Sequence, residues 1–328
     1  HVDRALEWIE TYGDRDGDGF VEYLRTSPAG LVNQGWKDSW DAISFADGQL
    51  AEPPIALCEV QGYVYAAFGT RAELAAVAGD TQTEQRYRHA AQRLRETFNR
   101  EFWLADRGWY AVGLDADKRP IDSLTSNIGH LLWTGIADAD KAAVVAEVLL
   151  SEEMFSGWGI RTLATSMARY DPVSYHNGSV WPHDSAICAA GLIRYGHIDA
   201  AHRLIDGLLD AADVMGGRLP ELFAGFDRAH LGVPADYPTS CSPQAWAAAA
   251  PLLLVRAMLR FDPVVQRNCL HVAPVLPPAI DRLAMTGIEV DGYSVTVEAD
   301  RGRVEVSGHD GLKLIEEPLA ADQSDPFG

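Results

Sequence analysis

A loop in the first part of the 328-residue chain concentrates side chains that suit a carbohydrate. Its sequence, NQGWKDSWD, contains Trp36, Lys37, Asp38, Trp40 and Asp41. The C–H faces of a sugar stack on aromatic rings and its hydroxyls need charged partners, so rings beside carboxylates meet both needs. A polar surface turn whose tryptophans pack into the core would have the same composition. This segment alone therefore leaves both interpretations open.

A second candidate carboxylate, Glu221, follows Pro220 in the segment GGRLPELFAG. Its neighbours Leu219, Leu222 and Phe223 are apolar and would remove part of its solvent. A partly desolvated carboxyl group suits acid–base catalysis near neutral pH. The alternative is a solvent-facing glutamate at a turn, and on this segment alone that alternative is favoured.

A third dense segment, SYHNGSVWPHDSA, combines histidines with aromatic and amide side chains. Its polar and aromatic members are Tyr175, His176, Asn177, Trp181, His183 and Asp184. The two histidines lie seven residues apart, which is not the short spacing of a helical zinc pair. Contacts to sugar hydroxyls are the favoured interpretation, a structural network at the start of the next helix is the alternative, and no metal site is predicted.

The segment DRDGDGFVEY partly resembles an EF-hand loop. Asp14, Asp16 and Asp18 have the right spacing, but Glu22 is the ninth residue from Asp14, whereas an EF-hand needs glutamate at the twelfth. A short Asx-turn is the favoured interpretation, with calcium as the alternative. Because no Walker A loop, dinucleotide fingerprint or G-x-S-x-G elbow occurs in the sequence, we predict no cofactor.

Helical periodicity predicts the elements that must position these loops. The clearest pattern covers 81–100, where Thr81 and Glu84 form a predicted capping box and Tyr87, Leu94 and Phe98 share one face. About eight helices are predicted in total, at 2–11, 54–77, 81–100, 127–133, 141–150, 180–195, 200–212 and 243–259. Long loops at 33–53, 155–180 and 215–242 separate them, and loops of that length are usually functional.

After Phe261 the pattern changes from helical to alternating. Pairs such as Ile288/Val290 and Val295/Val297 recur around DG and RG turns, which is typical of short antiparallel strands. We therefore predict a mainly α catalytic domain over 1–261 and a small antiparallel β appendix with a tail over 262–328.

Composition excludes several classes of function. The chain has 47 acidic and 27 basic side chains, a net charge of −20, which disfavours nucleic-acid binding and a uronate-binding lyase. Its hydrophobic stretches are shorter than the roughly 20 residues that span a bilayer, and its first residues do not resemble a secretion signal, so no membrane role is expected. Four widely spaced cysteines fit free thiols in a reducing cytoplasm.

Taken in order, five segments resemble a known group of enzymes. GWKDSWD, PIALCEVQGYVYAA, SYHNGSVWPHD, RLPELF and SCSPQAWA are similar to the glucosidase domain of glycogen-debranching enzymes and to bacterial amylo-α-1,6-glucosidases. These belong with trehalases and processing α-glucosidases among the glycosidases with an (α/α)6 toroid. The resemblance covers about residues 1–261 and implies an α-glucoside or α-glucan substrate.

The resemblance also implies roles for individual residues. Asp38 corresponds to the general acid of the group and Glu221 to its general base, with Asp41 as the rival acid. The residues that correspond to glucosyl or subsite contacts are Glu59, Gln61, Tyr175, His176, Trp181 and Gln244. Lys37 and the His183-Asp184 pair are departures from the group, which puts the substrate in doubt more than the chemistry.

Two further interpretations stay open. In the first, the chain is an α-glycosidase that acts on a small compound such as trehalose or a glucosylglycerate. In the second, it is a carbohydrate-binding toroid without turnover. An opposed pair of carboxylates argues against a pure binder, because binding needs stacking rings but no acid and base.

Three structural expectations follow. An inverting pair Asp38 and Glu221 should face one cleft at roughly 6.5–9.5 Å. At least two of the loop tryptophans Trp36, Trp40, Trp158 and Trp181 should line that cleft, with Glu59 near its floor. A twelve-helix ring needs about 400 residues, so the ring should be incomplete at its opening helices and prone to self-association.

Overall fold

Paired helices form the framework of the chain up to Leu259. The computed structural model describes residues 1–319. Its helices are α1 Val2–Trp8, α2 Cys58–Val77, α3 Thr81–Glu101, α4 Asn127–Thr134, α5 Ala139–Leu149, α6 Pro182–Arg194, α7 Ile198–Val214, α8 Arg228–Leu231 and α9 Ala245–Leu259. All eight predicted helices are present within a few residues of their expected bounds, and the four-residue α8 is additional.

The start of α3 corrects one local prediction. Asp80 caps this helix, because its carboxylate accepts a hydrogen bond from the backbone N–H of Thr83 at 3.1 Å. Glu84 instead pairs with Arg88 one turn later, at 2.9 Å. The predicted capping box of Thr81 and Glu84 is therefore wrong, although the helix itself begins where expected.

The helices are arranged as a row with partners. α2 packs against α3 and α4, α4 against α5 and α6, and α6 against α7 and α9. This gives a row α2–α4–α6–α9 in which α3, α5 and α7 each lie beside the helix before them. The mainly α class is confirmed; the described residues hold nine helices rather than twelve, so a complete toroid remains a proposal.

Glycines let two helices of the row approach closely. A Cβ atom added to Gly129 in α4 would lie 2.2 Å from the Sγ atom of Cys188 in α6, and one added to Gly191 would lie 2.7 Å from Leu132. Neither position has room for a methyl group. The α4–α6 contact belongs to one large apolar core that includes Ile128, Leu131, Leu192 and residues of α2, α3, α5 and α7.

Short two-residue strands join the loops between the helices. β1 Ala56–Leu57 pairs with β4 Gly113–Leu114, which pairs with β5 Pro120–Ile121. The other two pairs are β2 Trp103–Leu104 with β3 Trp109–Tyr110, and β6 Phe223–Ala224 with β7 Ala235–Asp236. β1 runs directly into α2 and thereby fixes the start of that helix.

The alternating region folds into strands as predicted. β10 Arg282–Val290, β11 Tyr293–Asp300 and β12 Val304–Ser307 form an antiparallel sheet. The DG turn has positive φ at both Asp291 and Gly292, 49° and 81°, as a tight hairpin requires. A second sheet contains β8 Asp262–Val264, β9 Cys269–His271 and β13 Lys313–Ile315. In this sheet β13 pairs with β9 in parallel, whereas the sequence predicted only antiparallel pairs.

The strands have a core of their own. Phe261, Leu270, Val295 and Val297 are buried together in it, apart from the main helical core. Val255, Leu276 and Leu283 contact both cores, and the domain boundary near residue 261 stays a proposal. The predicted 262–328 appendix extends past the described residues, so its last part lies outside them.

Several apolar side chains are exposed on the first and last helices. Trp8 is 55% exposed in α1, and Leu252 is 72% and Trp246 47% exposed in α9. Self-association through such faces stays a prediction. Among the described residues, no helix is both long and apolar enough to cross a bilayer. All four cysteines are free.

The acidic loop after α1 contains the predicted Asx-turn, and the ammonium group of Lys118 lies against it. The carboxylates of Asp16 and Asp18 each accept a hydrogen bond from the backbone N–H two residues on, that of Asp18 at 3.2 Å and that of Phe20 at 2.8 Å. The ammonium group of Lys118 lies 2.7 Å from the carboxylate of Asp16 and also contacts the carboxylates of Asp18 and Glu22. Asp14, Asp16 and Asp18 have the geometry of a possible cation site, and an ammonium group of the same chain already lies against two of them.

Glu22 makes this contact important for stability. Its side chain is only 1% exposed, and one of its carboxylate oxygens has no protein partner. Burial opposes the charge of Lys118, but hydrogen bonds to the acidic loop outweigh it and raise the pKa of the lysine. The ammonium therefore stays charged over the whole physiological range.

We expect Lys118→Met to lower the free energy of unfolding by about 2 kcal/mol, because it leaves the buried Glu22 carboxylate without its cation. Urea unfolding at pH 7 measures this. The double variant Lys118→Met/Glu22→Gln removes both charges and should regain part of the loss. A single variant within about 0.5 kcal/mol of the unmodified protein would contradict the argument.

Candidate active site

The loop that carries Asp38 is held by buried polar contacts. Asn33 is buried, accepts a hydrogen bond from the Tyr23 hydroxyl at 2.6 Å and donates one to the carbonyl of Ser39 at 2.7 Å. A Cβ atom added to Gly35 would lie 2.4 Å from Leu57, so the loop passes close over the start of α2. Asp38 itself is exposed at the tip of this loop.

The loop that carries Glu221 is fixed by backbone pairing. Val180 and Phe223 exchange two backbone hydrogen bonds, at 2.9 and 3.0 Å, and Glu221 lies two residues before Phe223. A Cβ atom added to Gly225 would lie 1.7 Å from the carbonyl oxygen of Gly178, so only glycine fits where these segments meet. The loop that carries Glu221 is thereby attached to the segment that precedes α6.

The Glu221 carboxylate lies in a polar setting. The Tyr175 hydroxyl donates to its Oε1 atom at 2.8 Å, and the backbone N–H of Cys241 donates to its Oε2 atom at 3.1 Å. The flanking Leu219, Leu222 and Phe223 are buried as the sequence indicated, yet the half-buried carboxylate faces these donors. These two donors orient the carboxylate.

Tyr175 connects the two candidate carboxylates. Burial raises the pKa of its phenol, and so do the hydrogen bond to Glu221 and the charges of both Glu221 and Asp38. One phenol therefore lies within electrostatic reach of both groups. The next residue, His176, is hydrogen-bonded to the hydroxyl of Ser39, directly after Asp38, at 2.8 Å. The structure thus brings the two loops together at one end of the helices.

Aromatic rings surround this region. The ring of Trp36 meets those of His176, Trp181 and His183 edge to face, with centroids 5.6, 5.8 and 5.1 Å apart. Trp181 stacks on His176 and donates from its indole N–H to the Tyr175 carbonyl at 2.9 Å. Trp40, by contrast, is 63% exposed on the loop surface.

The two histidines of this cluster are neutral at physiological pH. Burial and, to a smaller extent, the nearby ammonium of Lys37 together lower the pKa of His176 to about 3. Burial likewise lowers the pKa of His183 to about 4. Both rings therefore act as neutral hydrogen-bonding and stacking groups. Among the described residues, the one cluster suited to a metal ion is the acidic loop at Asp14.

Several charged side chains are buried next to the loop that carries Asp38. Lys37 and Glu59 are each 1% exposed, and Asp184 is fully buried with its carboxylate 2.8 Å from the Nε2 atom of His130. One oxygen of Glu59 and one of Asp184 have no protein partner. Buried acceptors of this kind are usually satisfied by ordered water.

Four predicted site residues have other roles in the structure. Lys37 donates to the carbonyl of Thr162 and is too deeply buried to contact a substrate. Gln61 is fully buried, and its amide pairs with the backbone N–H and carbonyl of Val21 at 2.9 and 2.8 Å. We therefore leave both out of the substrate-binding set.

Trp158 and Gln244 are the other two. Trp158 is 2% exposed and packs with Val180 and Phe223 under the base loop, with the guanidinium of Arg228 4.1 Å from its ring centroid. Its predicted place in the cleft has no support in these contacts. Gln244 caps α9 through a hydrogen bond from the Ala247 N–H at 2.8 Å.

Asp41 and Asn177 lie together beside a polar cavity. The Asn177 amide donates to the Asp41 carbonyl at 3.3 Å. Both residues line a polar cavity of about 460 Å³ together with Arg169 and Asp171. Because Asp41 follows Asp38 by three residues, its Cα lies within roughly 11 Å of that of Asp38.

Sequence reasoning missed a group of aromatic residues on the helix row. Tyr63, Trp133 and Trp246 line an apolar cavity of about 270 Å³ with Trp36 and His183. Tyr63 also hydrogen-bonds to the Nδ1 atom of His130 at 2.5 Å. The signal was available: Tyr63 follows Glu59 by one helical turn, and Trp246 lies in the QAWA segment two residues after Gln244.

Two family models match this chain. The model described as the mannosylglycerate hydrolase MGH1-like glycoside hydrolase domain matches residues 3–229, and that of the glycosyl hydrolase family 65 C-terminal domain matches residues 258–316. None of the curated proteins matches.

Solved structures show the same fold at low identity. A structure described as a sialidase has a TM-score of 0.70 and 13% identity, over 95% of this chain and 30% of that chain. The GH63 mannosylglycerate hydrolase from Thermus thermophilus, in complex with glucose, has a TM-score of 0.50 and 18% identity, over 61% of this chain and 47% of that chain. The chain thus spans less than half the length of either protein.

The buried histidines make stability depend on pH. Unfolded histidine takes up a proton near pH 6.5, whereas folded His176 does so only near pH 3, so the free energy of unfolding falls as pH drops through this range. We expect His176→Gln to reduce the loss of stability between pH 7 and pH 5 by roughly 2 kcal/mol. Urea unfolding at both pH values measures it.

His89→Gln provides the control, because His89 is solvent-exposed on α3. This variant should keep the pH dependence of the unmodified protein. An identical pH dependence in His176→Gln would mean that His176 is not kept neutral by burial.

Proposed function

Because the chain belongs to the mannosylglycerate hydrolase MGH1-like glycoside hydrolase family, we propose that it cleaves an α-glucosidic bond with inversion at the anomeric carbon. Asp38 is the general acid and Glu221 the general base in this proposal. The observations that support the pairing are two contacts of neighbouring residues: Tyr175 is hydrogen-bonded to Glu221, and His176 to Ser39, which directly follows Asp38.

The reaction needs one proton donor, one water and one proton acceptor. Glu221 removes a proton from the water while the water oxygen bonds to the anomeric carbon. The bond from that carbon to the leaving oxygen breaks, and Asp38 donates its proton to this oxygen. Atoms and charge balance, because the proton gained by Glu221 and the one lost by Asp38 exchange with solvent before the next turnover.

The surroundings of each carboxylate suit its role. Asp38 is exposed, so it can be reprotonated from solvent between turnovers. The donors Tyr175 and the Cys241 N–H each occupy one oxygen of Glu221 and keep the carboxylate oriented. Each oxygen has a second lone pair with which to accept a proton from water.

The proposed substrate-binding set consists mostly of indole, phenol and imidazole rings, with two carboxylates and one amide. It comprises Trp36, Trp40, Asp41, Glu59, Tyr175, His176, Asn177, Trp181 and His183. Uncharged imidazoles and indoles favour stacking and hydrogen bonds to hydroxyl groups over binding of an anion. This composition supports a sugar as the bound glycone.

Two substrates remain as candidates. An α-1,6 branch of a glucan is favoured by the resemblance of the loop motifs to debranching enzymes. A small glycoside is favoured by the family description and by the Thermus neighbour, which is a mannosylglycerate hydrolase. Arg169, at the polar cavity beside Asp41, could pair with the carboxylate of a glycerate.

A substrate panel with anomer analysis tests the chemistry. We expect hydrolysis of at least one of isomaltose, panose, trehalose, glucosylglycerate and mannosylglycerate. The sugar whose anomeric carbon is attacked should first appear as its β-anomer by proton NMR, and with trehalose the leaving glucose should appear beside it as the α-anomer. Release of the attacked sugar as its α-anomer would instead indicate a retaining enzyme.

Variants then separate acid from base. Glu221→Gln should lower kcat by roughly 100-fold or more on every substrate. Asp38→Asn should do the same on ordinary glycosides but much less on α-glucosyl fluoride, because fluoride leaves without protonation. Asp41→Asn is the matched control in the same loop; if it causes the larger, leaving-group-dependent loss, Asp41 is the acid.

A further inference from the structure

Lys37 is a fully buried charge next to the proposed general acid. It is 1% exposed, and its ammonium donates to the carbonyl oxygen of Thr162 at 2.6 Å, a residue 125 positions away. The Trp36 ring lies over the same ammonium, 5.0 Å from centroid to nitrogen. A substrate in the cleft therefore cannot reach this group, and its role must be exercised through its neighbours.

Thr162 is a junction in the backbone of the site. Its N–H donates to the Ser179 carbonyl at 2.9 Å, and its hydroxyl accepts from the Gly178 N–H at 2.9 Å. Its carbonyl oxygen also accepts from the N–H of Ser126, at the start of α4. Thr162 is thus bound to the segment that leads into Val180.

From there the connection continues to the base. Val180 pairs with Phe223 through two backbone hydrogen bonds, and Glu221 lies two residues before Phe223 in the chain. A continuous route therefore joins Asp38 to Glu221 through Lys37, Thr162, Ser179, Val180 and Phe223. Every step of this route except one is a peptide bond or a backbone hydrogen bond. The exception is the side chain of Lys37.

The ammonium is held in place by charge as well. Burial lowers the pKa of Lys37 to about 8, against the opposing charges of Asp184 in α6 and Glu59 in α2. The other titratable groups that face it are Cys58, Cys188 and His176. At neutral pH the lysine is therefore charged and its hydrogen bond to Thr162 is charge-assisted.

We propose that Lys37 is a positioning residue whose ammonium, bonded to the Thr162 carbonyl, sets the separation of Asp38 and Glu221. This inference rests on the proposed function of those two carboxylates. Their separation decides whether a water molecule fits between base and anomeric carbon. A displacement of about 1 Å can cost a factor of about 100 in rate.

The decisive variant is Lys37→Met, which keeps the length of the side chain and removes its charge and its donors. We expect kcat to fall by roughly 100-fold while KM changes by less than about threefold, because Lys37 does not touch the substrate. The matched control is Lys141→Met, since the ammonium of Lys141 also donates to a backbone carbonyl, that of Asn99 at 2.8 Å. This control should leave kcat unchanged.

A charge-balanced variant covers the possibility that Lys37→Met does not fold. Lys37→Met/Asp184→Asn removes one buried charge of each sign, and Asp184→Asn alone is its reference. The double variant should fold and still show the reduced kcat relative to that reference. Retention of the reference kcat would overturn the proposal.

Hydrogen exchange gives a measurement that does not need activity. In the Lys37→Met variants, the hydrogen-bonded N–H groups of Ser39, Ser126 and Thr162 should lose protection while residues 93–101 of α3 keep theirs. If glycosides are hydrolysed but Lys37→Met keeps both kcat and protection, the positioning role fails and the proposed function stands. If no glycoside is hydrolysed, the proposed function fails, and the exchange result alone decides whether Lys37 anchors the loop.

Discussion

The backbone pairing of Val180 with Phe223 is the interaction on which the candidate site depends. It joins two long loops that come from different parts of the helix row, the one before α6 and the one after α7. Backbone pairing is well suited to this task because its geometry is fixed by the peptide and not by side-chain rotamers. The touching glycines at 178 and 225 show how closely the two segments must approach. The helices supply a stable base, and this short pairing determines where the base carboxylate points.

The interior beneath the site is charged where an ordinary core would be apolar. Glu59, Asp184, the ammonium group of Lys37 and the ring of His130 lie in a region closed to solvent, where Asp184 is hydrogen-bonded to His130. Such a network is costly to bury, and it stabilises a protein only if its members are well paired. The unpaired oxygens of both carboxylates indicate that pairing is incomplete in the chain alone. Incomplete satisfaction directly under a cleft is typical of functional regions, where polar groups are kept for a ligand.

Much of the fold could be predicted from the sequence, because it depends on local patterns. The apolar face of α3 and the alternation in β11 each repeat over a short window, and both elements formed where expected. The burial of Lys37 and Gln61 could not be predicted in this way. Their partners, Thr162 and Val21, lie 125 and 40 residues away in sequence, and no local pattern reports such a contact. The type of a polar residue in a loop indicates what chemistry it can perform, but only the tertiary contacts show whether it faces the solvent or the core.

Cys241 has a practical consequence for studying this protein. It is the one exposed thiol among four, while Cys58, Cys188 and Cys269 are buried. A maleimide fluorophore should therefore attach at a single place without any engineered cysteine. Because the backbone N–H of the same residue donates to the Glu221 carboxylate, the dye would lie beside the proposed general base. Under the proposed function, its emission would report the arrival and departure of a sugar in real time, even for a ligand that is bound but never cleaved.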